Sequence, residues 1–145
     1  MSPLILVTND DGINSPGLLA AVEAVHSLGE ILVIAPEKQQ SGAARSHPSC
    51  KGRIHERVIE IERERVAAFS LDGSPAQAVQ YGILRLRPRK PALAISGINY
   101  GENVGANITV SGTIGAAIEV ASYGIPPWLS PWRPSPSTTS HTARR

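Results

Sequence analysis

Two aspartates stand side by side at Asp10 and Asp11, and the chain holds only one other, Asp72. Adjacent carboxylates repel each other. At the end of an apolar run they are explained by a bound cation, or by a solvated turn in which Asp acts as a cap. The preceding run, Leu4-Ile5-Leu6-Val7, suits a strand buried on both faces of a parallel sheet. Open α/β sheets bind their ligands at the carboxyl ends of such strands. Gly12 lets the backbone turn away. Ser41 and Asn99 follow two further apolar runs, Ile31–Ile34 and Ala92–Ile95, and so belong at the same edge. Two carboxylates, a hydroxyl and an amide carbonyl are hard oxygen donors. They suit one divalent ion, Mg²⁺ or Mn²⁺, and do not suit zinc, for which the chain has no Cys/His cluster.

Ser111-Gly112-Thr113 precedes a stretch of helical character that runs to Ala121 and stops at Gly124. Such a start offers free backbone N–H groups, two hydroxyls and the positive end of the helix dipole, which suits a phosphate. An ordinary N-cap accounts for Ser111 and leaves Gly112 unexplained. A hard cation beside that terminus implies a phosphoryl substrate, whose oxygens the cation polarises while lowering the pKa of an attacking water.

The elements that must position these groups follow from periodicity. Ser15-Pro16 starts a helix with Leu18, Val22 and Val25 at helical spacing, and Gly29 ends it. Ile31-Leu32-Val33-Ile34 is a second buried strand closing at Ala35-Pro36. Strand, helix and strand in so few residues make a βαβ unit, hence a parallel sheet. Glu37 to Cys50 is a polar loop in which Arg45 and His47 could reach an anion. Val58, Ile59 and Ile61, then Val66 to Leu71, form two short strands joined by an Arg63-Glu64-Arg65 turn. Ser74-Pro75 starts another helix with Val79, Ile83 and Leu86 as its buried stripe, and Pro88 and Pro91 mark its exit. After Ala92–Ser96, the segment from Gly97 to Asn107 is dense in Gly and Asn, as loops are that approach a ligand with their backbone. The expected fold is α/β, a Rossmann-like three-layer sandwich with a mainly parallel sheet and a short antiparallel hairpin.

Composition narrows the classes further. At 145 residues there is room for one domain with a real core. The formal charge of +2 is a property of the tail: residues 1–125 hold 11 basic and all 12 acidic side chains, a net of −1. Nucleic acid is therefore not an expected partner. No apolar run approaches the ~20 residues of a membrane span, and no secretory signal is evident, so a membrane is not expected either. The single Cys50 excludes an internal disulfide and fits a reducing cytoplasm.

Asn9-Asp10-Asp11-Gly12, Gln40-Ser41-Gly42, Ser96-Gly97-Ile98-Asn99 with Gly101, Asn103 and Gly105, and Ser111-Gly112-Thr113 with Ala116, Ala117 and Glu119 together resemble the SurE survival-protein family. The match runs from about Leu4 to Pro126. The resemblance implies a metal-dependent 5′/3′-nucleotidase with acid-phosphatase activity, acting on nucleoside monophosphates and assembling as a homodimer or tetramer. It implies that Asp10, Asp11, Ser41 and Asn99 hold the metal, with Asp10 and Asp11 the catalytic pair. Asn9, Asn103 and Ser111-Gly112-Thr113 would line the phosphate site. Asp72-Gly73-Ser74-Pro75-Ala76 resembles a family segment beside the pocket, but Gln77 and Ala78 stand where Asp-Cys is common. Other phosphate chemistries fit less well. There is no Gly-x-x-x-x-Gly-Lys-Ser/Thr loop, and adjacent aspartates break the Asp-x-Asp spacing of phosphatases that pass through a phospho-aspartate. Direct attack by water, without a phospho-enzyme, is expected. The competing class is an inactive nucleotide-binding or assembly remnant of the family.

From Pro126 the character changes. Of the 20 residues 126–145, 12 are Pro, Ser or Thr, none is acidic, and both tryptophans lie here. Ile125-Pro126 should begin the next buried strand, but five prolines argue against any strand. The organisation expected is a family domain over 1–125 and a non-globular tail over 126–145, read as out of frame. Restoring one base near Pro126 would permit Ala-Leu-Ala-Val-Ser-Leu followed by an acidic turn, and the chain as it stands would then lack the last sheet strands and the assembly arm.

Overall fold

Each apolar run becomes a strand, and the alternation of its side chains sorts the core into two layers. The computed structural model describes residues 1–86, 89–99 and 107–131. The strands are β1 (Leu4–Thr8), β2 (Glu30–Pro36), β3 (Ile54–Ile61), β4 (Glu64–Leu71), β5 (Leu93–Asn99) and β6 (Pro127–Pro131). The helices are α1 (Pro16–Val25), α2 (Pro75–Tyr81), α3 (Asn107–Val110) and α4 (Gly112–Ser122). The strands form one sheet in the order β3-β4-β2-β1-β5-β6. Every neighbouring pair is parallel except β3 and β4.

Successive side chains of a strand point to opposite faces. Ile5, Val7 and Val33 therefore pack on Leu18 and Val22 of α1. Leu4, Leu6, Leu32 and Ile34 face the other way, onto Val79 of α2 and Ala116 and Val120 of α4. Full burial of an aliphatic side chain of this size contributes about 1.5–3 kcal/mol, so these two layers hold the sheet between helices. Both expected helix starts form. The Ser15 hydroxyl accepts from the Leu18 N–H, the Ser74 hydroxyl accepts from the Gln77 N–H, and a proline occupies the first turn of each helix.

The same topology opens a crevice. The chain leaves β1 toward the α1 face and returns as β2, whereas β5 leads to α4 on the opposite face. Loops that diverge from adjacent strands leave a gap at their carboxyl ends, the switch point where α/β sheets bind ligands. Asp10 and Asp11 stand on one side of that gap, and Asn99, the last residue of β5, stands on the other.

Two expectations are corrected. The hairpin turn is Glu62-Arg63, because Ile61 pairs with Glu64 and Glu60 with Arg65, which places Glu64 and Arg65 inside β4. Glu62 takes the left-handed conformation, φ 55°, that a two-residue hairpin turn demands. Val79 is fully buried and Ile83 packs beside it, whereas the Leu86 side chain and Pro88 lie outside the described residues.

The second correction concerns the tail. A strand does form within it: β6 pairs parallel with β5 from Ala94–Pro127 to Asn99–Pro131. Its prolines are compatible with pairing because, among the described residues, β6 is bonded on one side only. The Ala94 N–H donates to the Pro126 carbonyl at 3.0 Å, and alternation then turns the nitrogens of Pro127 and Pro131 away from β5. Proline is tolerated at such edge positions. The strand is not the buried one expected, since Trp128 and Leu129 are exposed. Residues 132–145 lie outside the described residues.

Candidate active site

Where β1 ends, Asn9 shapes the turn. Its side-chain oxygen accepts from the Gly12 N–H at 3.2 Å, and its amide nitrogen donates to the Ser15 hydroxyl, the residue that caps α1. Gly12 has φ 100°, a conformation L side chains rarely adopt, and the sharp exit follows from it. Asn9 is thus engaged on both of its amide atoms, and it acts on the site by fixing the direction in which Asp10 and Asp11 leave the strand.

Asp10 is buried, only 4 % exposed, and Asp11 is half-buried. The Asp10 carboxylate accepts a hydrogen bond from the Thr113 hydroxyl at 2.6 Å. Burial pushes its pKa above the ordinary carboxylate range and the Asp11 charge adds to the effect, while the bond from Thr113 works in the opposite direction. A buried carboxylate beside a second one is an arrangement that a cation relieves.

The loop after β2 joins this pair. The Gln40 N–H donates to the Asp10 carbonyl at 2.7 Å. The Gln39 amide bridges Asp11 Oδ1 at 3.2 Å and the Ser41 hydroxyl at 2.9 Å. Ser41 and Asp11 are therefore brought together through a residue that sequence reasoning missed, since a loop glutamine carries no periodic signal. Asn99 is buried at the end of β5, and Asn103 lies outside the described residues.

Across the crevice, Ser111 caps α4 by accepting from the Ile114 N–H at 3.3 Å. Gly112 is accounted for by close approach: a Cβ there would lie 2.6 Å from the Asp10 Cβ. In this structure the Ser111 and Thr113 hydroxyls are occupied within the protein, the second by Asp10. What α4 turns toward the crevice is its positive end. Arg45 and His47 do not stand free for an anion either. The Arg45 Nε donates to Glu119 at 2.6 Å, and His47 Nε2 lies 3.6 Å from the same oxygen. Glu119 is the second residue here whose contacts sequence reasoning missed, although it closes the Ser-Gly-Thr motif.

A cleft of about 490 Å³ opens beside Asp11, lined by Asn14, Ser15, Lys38 and Gln39 among others. Of Asp10, Asp11, Ser41 and Asn99, only Asp11 lines this cleft. Among the described residues no group of three or more His, Cys, Asp and Glu is placed to hold a metal. Asp10, Asp11, Ser41 and Asn99, at or beyond the carboxyl ends of β1, β2 and β5, carry hard oxygen donors, which by type suit a hard divalent cation and not a soft one.

A mainly parallel sheet flanked by helices, with a carboxylate pair at its switch point and a helix N-terminus opposite, defines an α/β protein of the doubly wound class. A family model described as Survival protein SurE matches residues 5–128, and the chain belongs to that family. It is 52% identical over 122 residues to a protein of Methanopyrus kandleri named 5′-nucleotidase SurE, and 48% identical over 124 residues to one so named from Methanothrix thermoacetophila. Each alignment covers 84% of this chain and 46% of the relative, so the chain spans about half the length of the curated relatives it matches. The crystal structure of the SurE protein from Aquifex aeolicus superposes with a TM-score of 0.70 at 40% identity, covering 86% of this chain and 49% of that one.

Proposed function

We propose that the protein hydrolyses nucleoside monophosphates to nucleoside and inorganic phosphate, with one divalent cation, Mg²⁺ or Mn²⁺, as cofactor. The observation that carries this reading is the meeting of Asp10, Asp11 and the Gln39-bridged Ser41 with the start of α4 at one sheet edge. The name 5′-nucleotidase borne by relatives as similar as 52% supports the substrate class. An exposed free Cys50 supports a reducing cytoplasm as its compartment. Assembly as a homodimer or tetramer belongs to the same reading.

Asp10, Asp11, Ser41 and Asn99 would hold the cation. Bound there, it supplies Lewis-acid polarisation of the phosphoryl oxygens and lowers the pKa of the attacking water. The protein's own groups do the rest. Backbone N–H groups and the dipole of α4 orient the phosphate, Thr113 holds the Asp10 carboxylate in one rotamer, and Gln39 keeps Ser41 beside Asp11. The cleft beside Asp11 falls in the ~300–1,000 Å³ range of small-molecule sites and has room for a nucleoside.

Phosphate release from nucleoside monophosphates in Mn²⁺ is the direct test. EDTA should stop it, and Asp11→Asn should lower it by about 100-fold or more, the scale expected for loss of an electrostatic contact to the transition state. Turnover that survives both treatments would sink the reading.

A further inference from the structure

The loop 37–50 carries Ser41 across the sheet edge, yet none of its residues is buried. Apolar burial therefore does not hold it, and its position rests on polar contacts. The Ala44 N–H donates to the Val110 carbonyl at 3.1 Å, next to the start of α4. The Ser74 hydroxyl donates to the Ser46 carbonyl at 2.5 Å, and the Gln77 amide donates to the Pro48 carbonyl at 2.7 Å. The remaining contact differs in kind. Glu119 is a buried carboxylate, 5 % exposed, and it receives Arg45 at 2.6 Å with His47 at 3.6 Å.

A buried carboxylate is costly unless it is paired, and an apolar side chain of similar volume would pack at least as well. Glu119 is thus poorly explained as filler for α4, and its burial is compensated only while the segment 45–47 is docked. Two independent features show that the docking is tight. Ala44 is held at φ 48°, a left-handed conformation that L residues seldom adopt. Gly115, one helical turn before Glu119, leaves just enough space for the Ala44 carbonyl, since a Cβ there would lie 1.9 Å from that oxygen.

We propose that Glu119 is a positioning residue: its buried carboxylate latches the Ser41 loop to α4 through Arg45 and His47, and so fixes Ser41 beside Asp11. The part of this that concerns cation binding rests on the reading of Ser41 as a metal ligand. The latch itself does not, and the two can be tested apart.

Amide hydrogen exchange of the metal-free chain reads the latch. Arg45→Ala, at a half-exposed side chain that carries little folding risk, and Glu119→Gln should each speed exchange at Gln40 and Ala44 by about tenfold, as a local opening does. The amides of Ile13 and Glu30, bonded to Pro36 and Pro3, should not respond. Unchanged exchange in the loop, or equal acceleration at Ile13 and Glu30, would overturn the latch. Mn²⁺ binding followed by electron paramagnetic resonance then reads its consequence. Arg45→Ala should weaken Mn²⁺ about tenfold in the wild-type background and less than about twofold in Ser41→Ala, because coupled sites are non-additive. Equal losses in both backgrounds would show that the latch does not act through Ser41. A wild-type chain that binds no Mn²⁺ overturns the metal reading together with the claim on Ser41, while the exchange data still decide whether Glu119 holds the loop.

Discussion

The hydroxyl of Thr113 donates to the carboxylate of Asp10 at 2.6 Å, joining positions 103 residues apart in the chain. The bond ties the first turn of α4 to the exit of β1, so the proposed cation site and phosphate site are parts of one rigid junction. Gly112 and Ser96 reinforce it: the first packs on the Asp10 side chain, and the second donates its hydroxyl to the Thr113 carbonyl at 2.8 Å.

That junction makes Asp10 a liability in the metal-free protein at neutral pH. Burial, and then the neighbouring Asp11 charge, raise its pKa above the ordinary 3.8. A carboxyl whose pKa is raised on folding holds its proton more tightly in the folded state. Its contribution to stability is full below the unfolded value and is lost as pH rises through the folded one. Asp10→Asn removes the buried charge and leaves an oxygen that can still accept from Thr113. In EDTA at pH 7 the variant should melt above the wild type, by about 3 °C for each kcal/mol recovered. The gap should close on acidification toward pH 4. Addition of Mn²⁺ should raise the wild-type melting temperature and leave the variant unmoved. A variant that melts lower at every pH would show that Asp10 is compensated within the metal-free fold.

The contact between Gly112 and Asp10 separates crowding from backbone strain. In Gly112→Ala the new methyl group meets Oδ2 of Asp10 at 3.1 Å and its Cβ at 2.6 Å, and the Cβ cannot move without shifting the β1 exit. Overpacking of this kind costs about 1–3 kcal/mol, and Mn²⁺ binding should be lost with it. Gly42→Ala is the control. Its φ of 78° carries strain, but no atom lies within 4 Å of the added group. It should cost about 1–2 kcal/mol and leave the Asp10 environment intact. Equal losses of Mn²⁺ binding in the two variants would mean that loop conformation, and not the Asp10 contact, governs the site.

Much of this was legible because it depends on local rules. Leu4–Val7, Ile31–Ile34 and Leu93–Ile95 are buried strands since each is a short aliphatic run, and Ser15-Pro16 and Ser74-Pro75 start helices by the same capping chemistry. Convergence of Asp11 and Ser41 followed from strand direction alone. What could not be read was the partner of each polar group. Whether Thr113 faces a ligand or Asp10, and whether Arg45 faces an anion or Glu119, depends on how two layers meet in space, and one-dimensional spacing does not encode that. The strand β6 was missed for a different reason. Proline argues against a central strand, and the objection is removed by the finding that β6, among the described residues, lies at the sheet edge and is bonded on one side.

That edge geometry predicts which further prolines the strand tolerates. The Ala94 N–H donates to the Pro126 carbonyl. Even-numbered residues of β6 therefore direct their backbone groups toward β5, and odd-numbered residues direct theirs outward. The nitrogens of Pro127 and Pro131 face outward, which leaves the Leu129 N–H as the outward donor between them and weakens the edge as a template for another strand. Leu129→Pro would place a third proline in the same outward row, at a side chain already exposed, and should leave the melting temperature within about 2 °C of wild type. Ser130→Pro is one residue further on and removes an N–H aimed at β5. It should detach the end of β6, lower the melting temperature by several degrees more, and speed amide exchange along β5 from Ala94 to Gly97. Equal effects of the two substitutions would show that β6 does not alternate in the register Ala94–Pro127, Ile95–Trp128 and Ser96–Leu129.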